Sequence, residues 1–234
     1  MADRTFNTFI FDIDGTLLDT VDDLALLTNR ILEEVGCPTH TTPEILSYVG
    51  AGVRRLIYLA LPEDASEETV DKAVDLWNQY FAEYYHETHP FPDIEELLEQ
   101  IRLRGGKVGA VSNKLQAGVD LIMAKCLPGK VDIMFGESPS VPRKPDPKGI
   151  QLAMAHLGAA PEESVYVGDS PTDVVAAKNA GVFSVVVLWG YHRREDFSGE
   201  SEPDLFVDAP LELLSLIPPA DAHLQDGITG AALC

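Results

Sequence analysis

Apolar residues fall in several runs along this chain, and amphipathic segments separate the runs. They lie at residues 6–11, 108–111, 165–167 and 183–188, and the apolar residues in them are mostly consecutive rather than alternating with polar ones. Strands buried on both faces have such runs, whereas half-solvated strands alternate apolar and polar residues. The runs therefore predict a mostly parallel sheet.

Helical periodicity fills the intervals between these runs. Segments 94–103, 147–157 and 171–179 each have proline at or near the start, glycine just past the end, or both. This asymmetry is typical of helix ends. Strands that alternate with helices build βαβ units, so we expect an α/β fold with a doubly wound sheet.

One long interval, residues 21–89, has helical periodicity and turns but no buried strand. Capping signals start helices near 21, 42 and 66. We therefore predict an all-α helical insertion at 21–89 within a catalytic core made of residues 1–20 and 90–217. Residues 218–234 have little periodicity, which predicts a C-terminal tail or a loop docked on the surface.

Composition narrows the classes of partner. The 17 basic and 38 acidic residues give a net charge of −21. Nucleic acids and anionic membranes reward clusters of Lys and Arg, so we expect neither as a partner. Three cysteines without a paired spacing fit neither a disulfide framework nor a zinc site. No apolar run approaches the roughly 18 residues of a membrane span, which predicts a cytoplasmic protein.

Polar residues that could take part in catalysis or ligand binding follow three of the apolar runs and occupy one proline-flanked loop. The carboxyl ends of parallel strands meet at one edge of a sheet, where such folds bind ligands. The residues are Asp12 and Asp14 after the first run, Ser112 and Asn113 after the second, Lys144 in the loop, and Asp169 and Asp173 after the third.

The carboxylates among these residues predict a magnesium site. Mg²⁺ prefers oxygen ligands and keeps several waters. We expect Asp12, the main-chain carbonyl of Asp14, and Asp169 to bind it, with Asp173 binding directly or through water. Alternatively, Asp169 and Asp173 cap a helix that begins near Pro171, and this role is compatible with metal binding.

In order and spacing, these clusters resemble the motifs of the haloacid dehalogenase-like (HAD) phosphohydrolase superfamily, over residues 6–208. Segments 14–20, 49–57 and 189–191 are most similar to the phosphoglycolate phosphatase group. The resemblance implies a Rossmann-like core with a helical cap over the site. It also implies a small phosphorylated metabolite as substrate, with 2-phosphoglycolate as the leading candidate.

The resemblance also implies a role for each residue. Asp12 would attack phosphorus to give an aspartyl-phosphate, and Asp14 would protonate the leaving oxygen and then activate water. Lys144 would offset the crowded negative charge. Ser112 and the backbone N–H groups of Asn113 and Lys114, where a strand meets a helix, would bind phosphoryl oxygens.

Three other functions stay open at this point. A β-phosphoglucomutase-type isomerase and an inorganic pyrophosphatase would use the same residues on the same scaffold. A catalytically silent binding protein is the third alternative. The sequence predicts no oligomeric state.

Two arginines in the insertion are candidates for binding the substrate. Arg54 and Arg55 follow the glycine-containing segment 50–52, and a flexible loop followed by arginines can grip a second anionic group such as a carboxylate. The alternative is a helix start with both arginines exposed to solvent.

Overall fold

Six parallel strands form the central sheet of the protein. A computed structural model describes residues 4–50 and 52–218. The strand order in the sheet is β5-β4-β1-β6-β7-β8. The sheet strands are β1 (Thr8–Phe11), β4 (Lys107–Leu115), β5 (Ile133–Glu137), β6 (Ser164–Gly168), β7 (Phe183–Val187) and β8 (Leu205–Val207), and β2 (Leu18–Asp19) and β3 (His89–Pro90) form a separate antiparallel pair.

Helices cover both faces of this sheet. Side chains alternate across a strand, so neighbours in β1 serve opposite faces. Phe9 and Phe11 pack in one apolar cluster with Leu97 and Ile122, whereas Ile10 packs in another with Ile150. These clusters involve α5 (Ile94–Leu103) and α6 (Gln116–Cys126) on the first face, and α7 (Lys148–Leu157) and α8 (Pro171–Ala180) on the second.

The predicted α/β fold with a doubly wound sheet is therefore confirmed. The four predicted strands correspond to β1, β4, β6 and β7, whose residues are largely buried. Strands β5 and β8 were not predicted. Both lie at the edges of the sheet and are mostly half-buried, so their residues do not form the long apolar runs of central strands.

Within the described residues, four helices occupy the helical insertion and share an apolar cluster of their own. Leu27, Ile57, Val70 and Trp77 are among the buried members of this cluster. The helices are α1 (Val21–Glu34), α2 (Thr42–Leu46), α3 (Val53–Ala60) and α4 (Glu67–Tyr80), and a short 3₁₀ turn (Phe81–Glu83) follows α4. The predicted domain boundaries themselves stay a prediction.

The insertion joins the core through two short strands, β2 and β3, which pair with each other. A buried carboxylate holds this connection in place. Asp23, at the start of α1, accepts hydrogen bonds from the backbone N–H groups of His86, Glu87 and Thr88 and from the Thr88 hydroxyl, at 2.6–3.1 Å. A carboxylate that accepts several hydrogen bonds is a strong local tie.

The predicted tail has only residue 218 among the described residues. Among the described helices, none is long and apolar enough to cross a lipid bilayer.

Candidate active site

Asp12 and Asp14 lie where β1 ends, and a tight turn sets their positions. The Asp12 N–H continues the strand ladder by donating to the carbonyl of Val167 at 2.8 Å. Gly15 then adopts φ = +81°, a conformation that L residues rarely adopt. A Cβ at Gly15 would also overlap the carboxylate of Asp169. The glycine thus lets the first loop approach the loop after β6.

Lys144 is buried between two of the predicted carboxylates. Its Nζ lies 2.7 Å from Asp12 Oδ1 and 2.6 Å from Asp173 Oδ1, and it donates to the Tyr166 hydroxyl at 3.0 Å. Burial alone would lower the pKa of Lys144, but the attraction of the two carboxylates outweighs it and raises that pKa well above its usual value. Lys144 is therefore a fixed positive charge at the centre of the site.

Asp12 experiences the opposite balance. Burial raises the pKa of its carboxyl well above the ordinary value, Lys144 opposes this rise, and the neighbouring carboxylates raise the pKa further. The anion is thus costly in the absence of further positive charge.

A divalent cation would supply that charge, and the residues fit one. Carboxylate oxygens of Asp12, Asp169 and Asp173 lie within 4.8 Å of one another, and all three residues are buried. Among the described residues, no group makes a well-directed hydrogen bond to Asp12 Oδ1, although the Lys144 ammonium lies close to it. The carboxylate oxygens of this cluster are hard donors of the kind that Mg²⁺ prefers.

The structure gives Asp173 a supporting position in this cluster. Its Oδ1 contacts Lys144, and its Oδ2 accepts hydrogen bonds from the backbone N–H and hydroxyl of Ser170, at 2.9 and 2.6 Å. In Asp169, by contrast, the backbone N–H of Tyr191 donates to Oδ2 and not to Oδ1. The helix-cap alternative is confirmed for Asp173 but not for Asp169, because Ser170 is the N-cap residue of α8 and forms a capping box with Asp173.

Ser112 and Asn113 follow the central part of β4 and face the same rim. The Ser112 hydroxyl lies 3.5 Å from Asp14 Oδ2. The Asn113 side chain accepts from the backbone N–H of Lys144 at 2.7 Å and donates to the carbonyl of Gly50 at 2.9 Å. One amide thereby joins the lysine loop to the helical insertion.

The Lys114 side chain lies in the site, although only the backbone N–H of this residue was predicted to bind there. Its Nζ lies 3.1 Å from Asp14 Oδ1, and its side chain is only 10% exposed. Burial would lower the pKa of Lys114, but the attraction of Asp14 outweighs it and raises that pKa above its usual value. Its place directly after Ser112 and Asn113 was the available signal.

Arg54 and Arg55 are not brought to the site. They stand in the first turn of α3, and both are exposed. Arg54 pairs with Glu67 at 2.8 Å and Asp71 at 2.5 Å on the surface of the insertion, and Arg55 lies over the ring of Tyr58. The geometry does not support the hypothesis that they grip a substrate, and it matches the helix-start alternative.

The insertion presents an apolar wall to the cavity above the carboxylates. Tyr85, which follows the insertion's last 3₁₀ turn, and Tyr191 from the core add two hydroxyl groups to the lining. Tyr191 is fixed there because its hydroxyl accepts from the backbone N–H of Thr20 at 2.7 Å. The apolar lining residues of the insertion are Leu24, Val49, Val53, Leu56, Trp77 and Phe81.

Comparison with known proteins adds an independent finding. Residues 9–187 match a family model described as haloacid dehalogenase-like hydrolase. The chain is 31% identical over 223 residues to a phosphoglycolate phosphatase of Aquifex aeolicus, and the match covers 93% of this chain and 98% of the relative. It is 32% identical over 226 residues to a phosphoglycolate phosphatase of Vibrio parahaemolyticus, covering 93% and 98%.

Solved structures share the fold over most of the chain. One from Lactobacillus delbrueckii subsp. bulgaricus, provisionally described as a phosphoglycolate phosphatase, matches with a TM-score of 0.84 at 27% identity. The match covers 92% of this chain and 100% of that chain.

Proposed function

Because this chain belongs to the haloacid dehalogenase-like hydrolase family, we propose that it is a Mg²⁺-dependent phosphatase that hydrolyses small phosphorylated metabolites through an aspartyl-phosphate. The observation that carries this proposal is the buried cluster of Asp12, Asp169, Asp173 and Lys144 at one edge of the sheet. We propose 2-phosphoglycolate as the leading substrate.

Two carboxylates divide the work of the reaction. A carboxylate oxygen of Asp12 attacks phosphorus, the bond from phosphorus to the ester oxygen breaks, and Asp14 gives its proton to the leaving oxygen. Water then attacks phosphorus, passes a proton to Asp14 and releases Asp12 with inorganic phosphate. Asp14 is positioned for this by the Thr20 hydroxyl, which donates to Asp14 Oδ1 at 2.8 Å.

Positive charge and donors surround the phosphoryl group. Lys144 offsets the charge on Asp12, and Ser112 has a hydroxyl that can donate to a phosphoryl oxygen. Asp12, the main-chain carbonyl of Asp14, and Asp169 would hold Mg²⁺. The ion would neutralise charge on the phosphate and polarise it. Asp173 acts mainly by holding Lys144 and Ser170 in place.

Two observations support a small substrate. The wall from the insertion is largely apolar, so a sugar with many hydroxyl groups would leave polar groups without partners there. The curated relatives at 31% and 32% identity are phosphoglycolate phosphatases, and they match nearly the whole chain.

A phosphate-release screen tests the proposal. The substrates are 2-phosphoglycolate, sugar phosphates, nucleotides and pyrophosphate, each with Mg²⁺ and with EDTA. We expect release that requires Mg²⁺, with 2-phosphoglycolate giving the highest kcat/KM.

Other outcomes of the screen identify the rival functions. Activity on pyrophosphate alone would identify a pyrophosphatase. Sugar phosphate isomerisation that depends on a bisphosphate activator would identify a mutase. No turnover of any substrate would leave a binding protein.

A further inference from the structure

Among the described residues that line the cavity, the lysine and arginine side chains are those of Lys114 and Lys144. Lys144 contacts both Asp12 and Asp173, so it serves the attacking carboxylate. Lys114 instead pairs with Asp14, the proposed proton donor to the leaving group. The two cations therefore lie on the two sides of the reaction, one with the nucleophile and one with the leaving oxygen.

The fold makes room for Lys114 at this place. Its methylene chain passes over Gly118, in the first turn of α6, and a Cβ at Gly118 would lie 3.1 Å from the Lys114 Cγ and Cδ atoms. The same Cβ would lie 3.4 Å from the Tyr85 hydroxyl. An alanine here would crowd the Lys114 side chain and touch the Tyr85 hydroxyl at an ordinary van der Waals distance. The glycine thus lets a cation and a hydroxyl group occupy the same corner of the cavity.

We propose that Lys114 binds a second anionic group of the substrate, a carboxylate one carbon removed from the ester oxygen. This inference rests on the proposed phosphatase function and identifies the substrate class as phosphate esters of small 2-hydroxy acids. An ammonium group has three N–H donors, and Asp14 Oδ1 occupies one of them.

The geometry of such an ester explains the position of the lysine. The ester oxygen must approach Asp14 to receive its proton, and Lys114 Nζ lies 3.1 Å from Asp14 Oδ1. A carboxylate one carbon away from that oxygen falls within reach of the same ammonium. The cation also offsets repulsion between a substrate of high negative charge and a chain of net charge −21.

The test compares two esters that differ only in this carboxylate. They are 2-phosphoglycolate and 2-hydroxyethyl phosphate, whose leaving groups are both poor alkoxides. The variants are Lys114→Met, which keeps the length of the side chain, and Lys114→Arg, which keeps the charge. Arg54→Ala is the control, because it removes a cation from the outer surface of the insertion.

Lys114→Met should lower kcat/KM for 2-phosphoglycolate by roughly 10- to 100-fold, the range for a hydrogen bond to a charged group. The loss for 2-hydroxyethyl phosphate should be less than about 3-fold on the same scale. Lys114→Arg should recover part of the preference, and Arg54→Ala should leave it intact. Equal losses on both esters would assign Lys114 to Asp14 alone and overturn the proposal, as would no loss at all.

A binding measurement separates this proposal from the proposed function. 3-Phosphonopropionate carries a methylene group in place of the ester oxygen and cannot be hydrolysed, and 3-hydroxypropylphosphonate is its partner without the carboxylate. In calorimetry with Mg²⁺, Lys114→Met should weaken only the first, by a similar factor. This selectivity without turnover of any ester would refute the phosphatase and keep the anion site. Turnover by the wild-type protein with no preference for the carboxylate would support the phosphatase and refute the anion site.

Discussion

The rim of the core sheet and the helical insertion differ in where they place the charged side chains near the cavity. At the rim, four acidic residues and two lysines that line or support the cavity are buried or nearly so. The insertion shows the same cavity a largely apolar surface and keeps Arg54 and Arg55 on its outside. In the proposed function, the chemistry and the recognition of charge therefore both belong to the core, and the insertion supplies an apolar wall.

Exposure to solvent determines how strongly the charged side chains in each region interact. The ion pair between Arg54 and Glu67 is exposed, and such pairs contribute little to stability because water and salt screen them. Lys144 and Asp12 are removed from water, so their interaction is stronger, and removing Lys144, the cation that Asp12 shares with Asp173, has large consequences. Substitutions in the two regions should differ accordingly.

Asp12→Asn should have the largest effect on activity. Loss of the nucleophile should reduce phosphate release on the order of 10⁴-fold or more. Asp120→Asn, an exposed carboxylate on α6, is the matched control and should retain activity. Turnover of Asp12→Asn near that of the wild-type protein would contradict the covalent mechanism.

The same variant should keep or gain thermal stability in metal-free buffer. Burial raises the pKa of Asp12, so the folded state disfavours the anion, and the neutral amide removes this cost. The advantage over the wild-type protein should shrink as the pH falls from the raised pKa towards 3.8, because the wild-type carboxyl then becomes neutral. Thermal unfolding at several pH values measures this, and a clear loss of stability near neutral pH would contradict the account.

Lys144→Met should have the largest effect on stability. It leaves Asp12 and Asp173 buried without their shared cation, so the free energy of unfolding should fall by about 3–5 kcal/mol. Added Mg²⁺ should restore part of the loss. Lys130→Met is the control, since its ion pairs on the surface have N–O distances of 3.8–3.9 Å, and it should cost less than about 0.5 kcal/mol. Similar losses in the two variants, measured by denaturant unfolding, would contradict the comparison.

Asp23→Asn should have an intermediate effect and tests how the insertion is joined to the core. The amide would turn an N–H donor towards backbone N–H groups, which should cost about 1–3 kcal/mol in the free energy of unfolding. Asp22→Asn removes a charge from the same helix turn at an exposed position, so the difference between the variants isolates the buried hydrogen bonds. Equal stabilities of the two variants would show that these bonds contribute nothing.

Arg54→Ala and Arg55→Ala should have the smallest effects. Both side chains are exposed and away from the cavity, so stability should change by less than about 1 kcal/mol. The kcat/KM values for 2-phosphoglycolate and for p-nitrophenyl phosphate should stay within about 2-fold of the wild-type values. A loss confined to 2-phosphoglycolate would return these arginines to the substrate and weaken the assignment to Lys114.

The sequence predicted the centre of the fold better than its edges. Strands β1 and β6 are buried on both faces, so their residues form apolar runs that the sequence shows directly. Edge strands such as β5 meet solvent, and their mixed composition gives no comparable signal. Helices α1, α2 and α4 of the insertion were predicted from capping signals and from apolar residues that recur at helical spacing. Helix α3 appeared in the sequence only as the helix-start alternative for Arg54 and Arg55.

The residues of the candidate site were likewise predicted where a strong feature of the sequence marks their position. Asp12, Lys144 and Asp169 stand next to predicted strands or in a marked loop, so topology alone brings them together. For Lys114 and Arg54, only the direction of the side chain decides the role. Lys114 turns inwards because Gly118 leaves space, whereas Arg54 turns outwards to Glu67 and Asp71. Such choices depend on contacts between distant residues, and sequence spacing does not encode them.

The most direct test of the account is to locate the phosphoryl group on the protein during turnover. The Asp14→Asn variant should accumulate the intermediate because it lacks the residue that activates water. The variant is mixed with Mg²⁺ and p-nitrophenyl phosphate, whose leaving group needs no proton from Asp14. It is then quenched in acid and reduced with borohydride, which converts an acyl phosphate to an alcohol. Peptide mass spectrometry should then find homoserine at position 12. Hydrolysis of the ester with no change at position 12, or with the change at another aspartate, would contradict the assignment of Asp12 as the nucleophile.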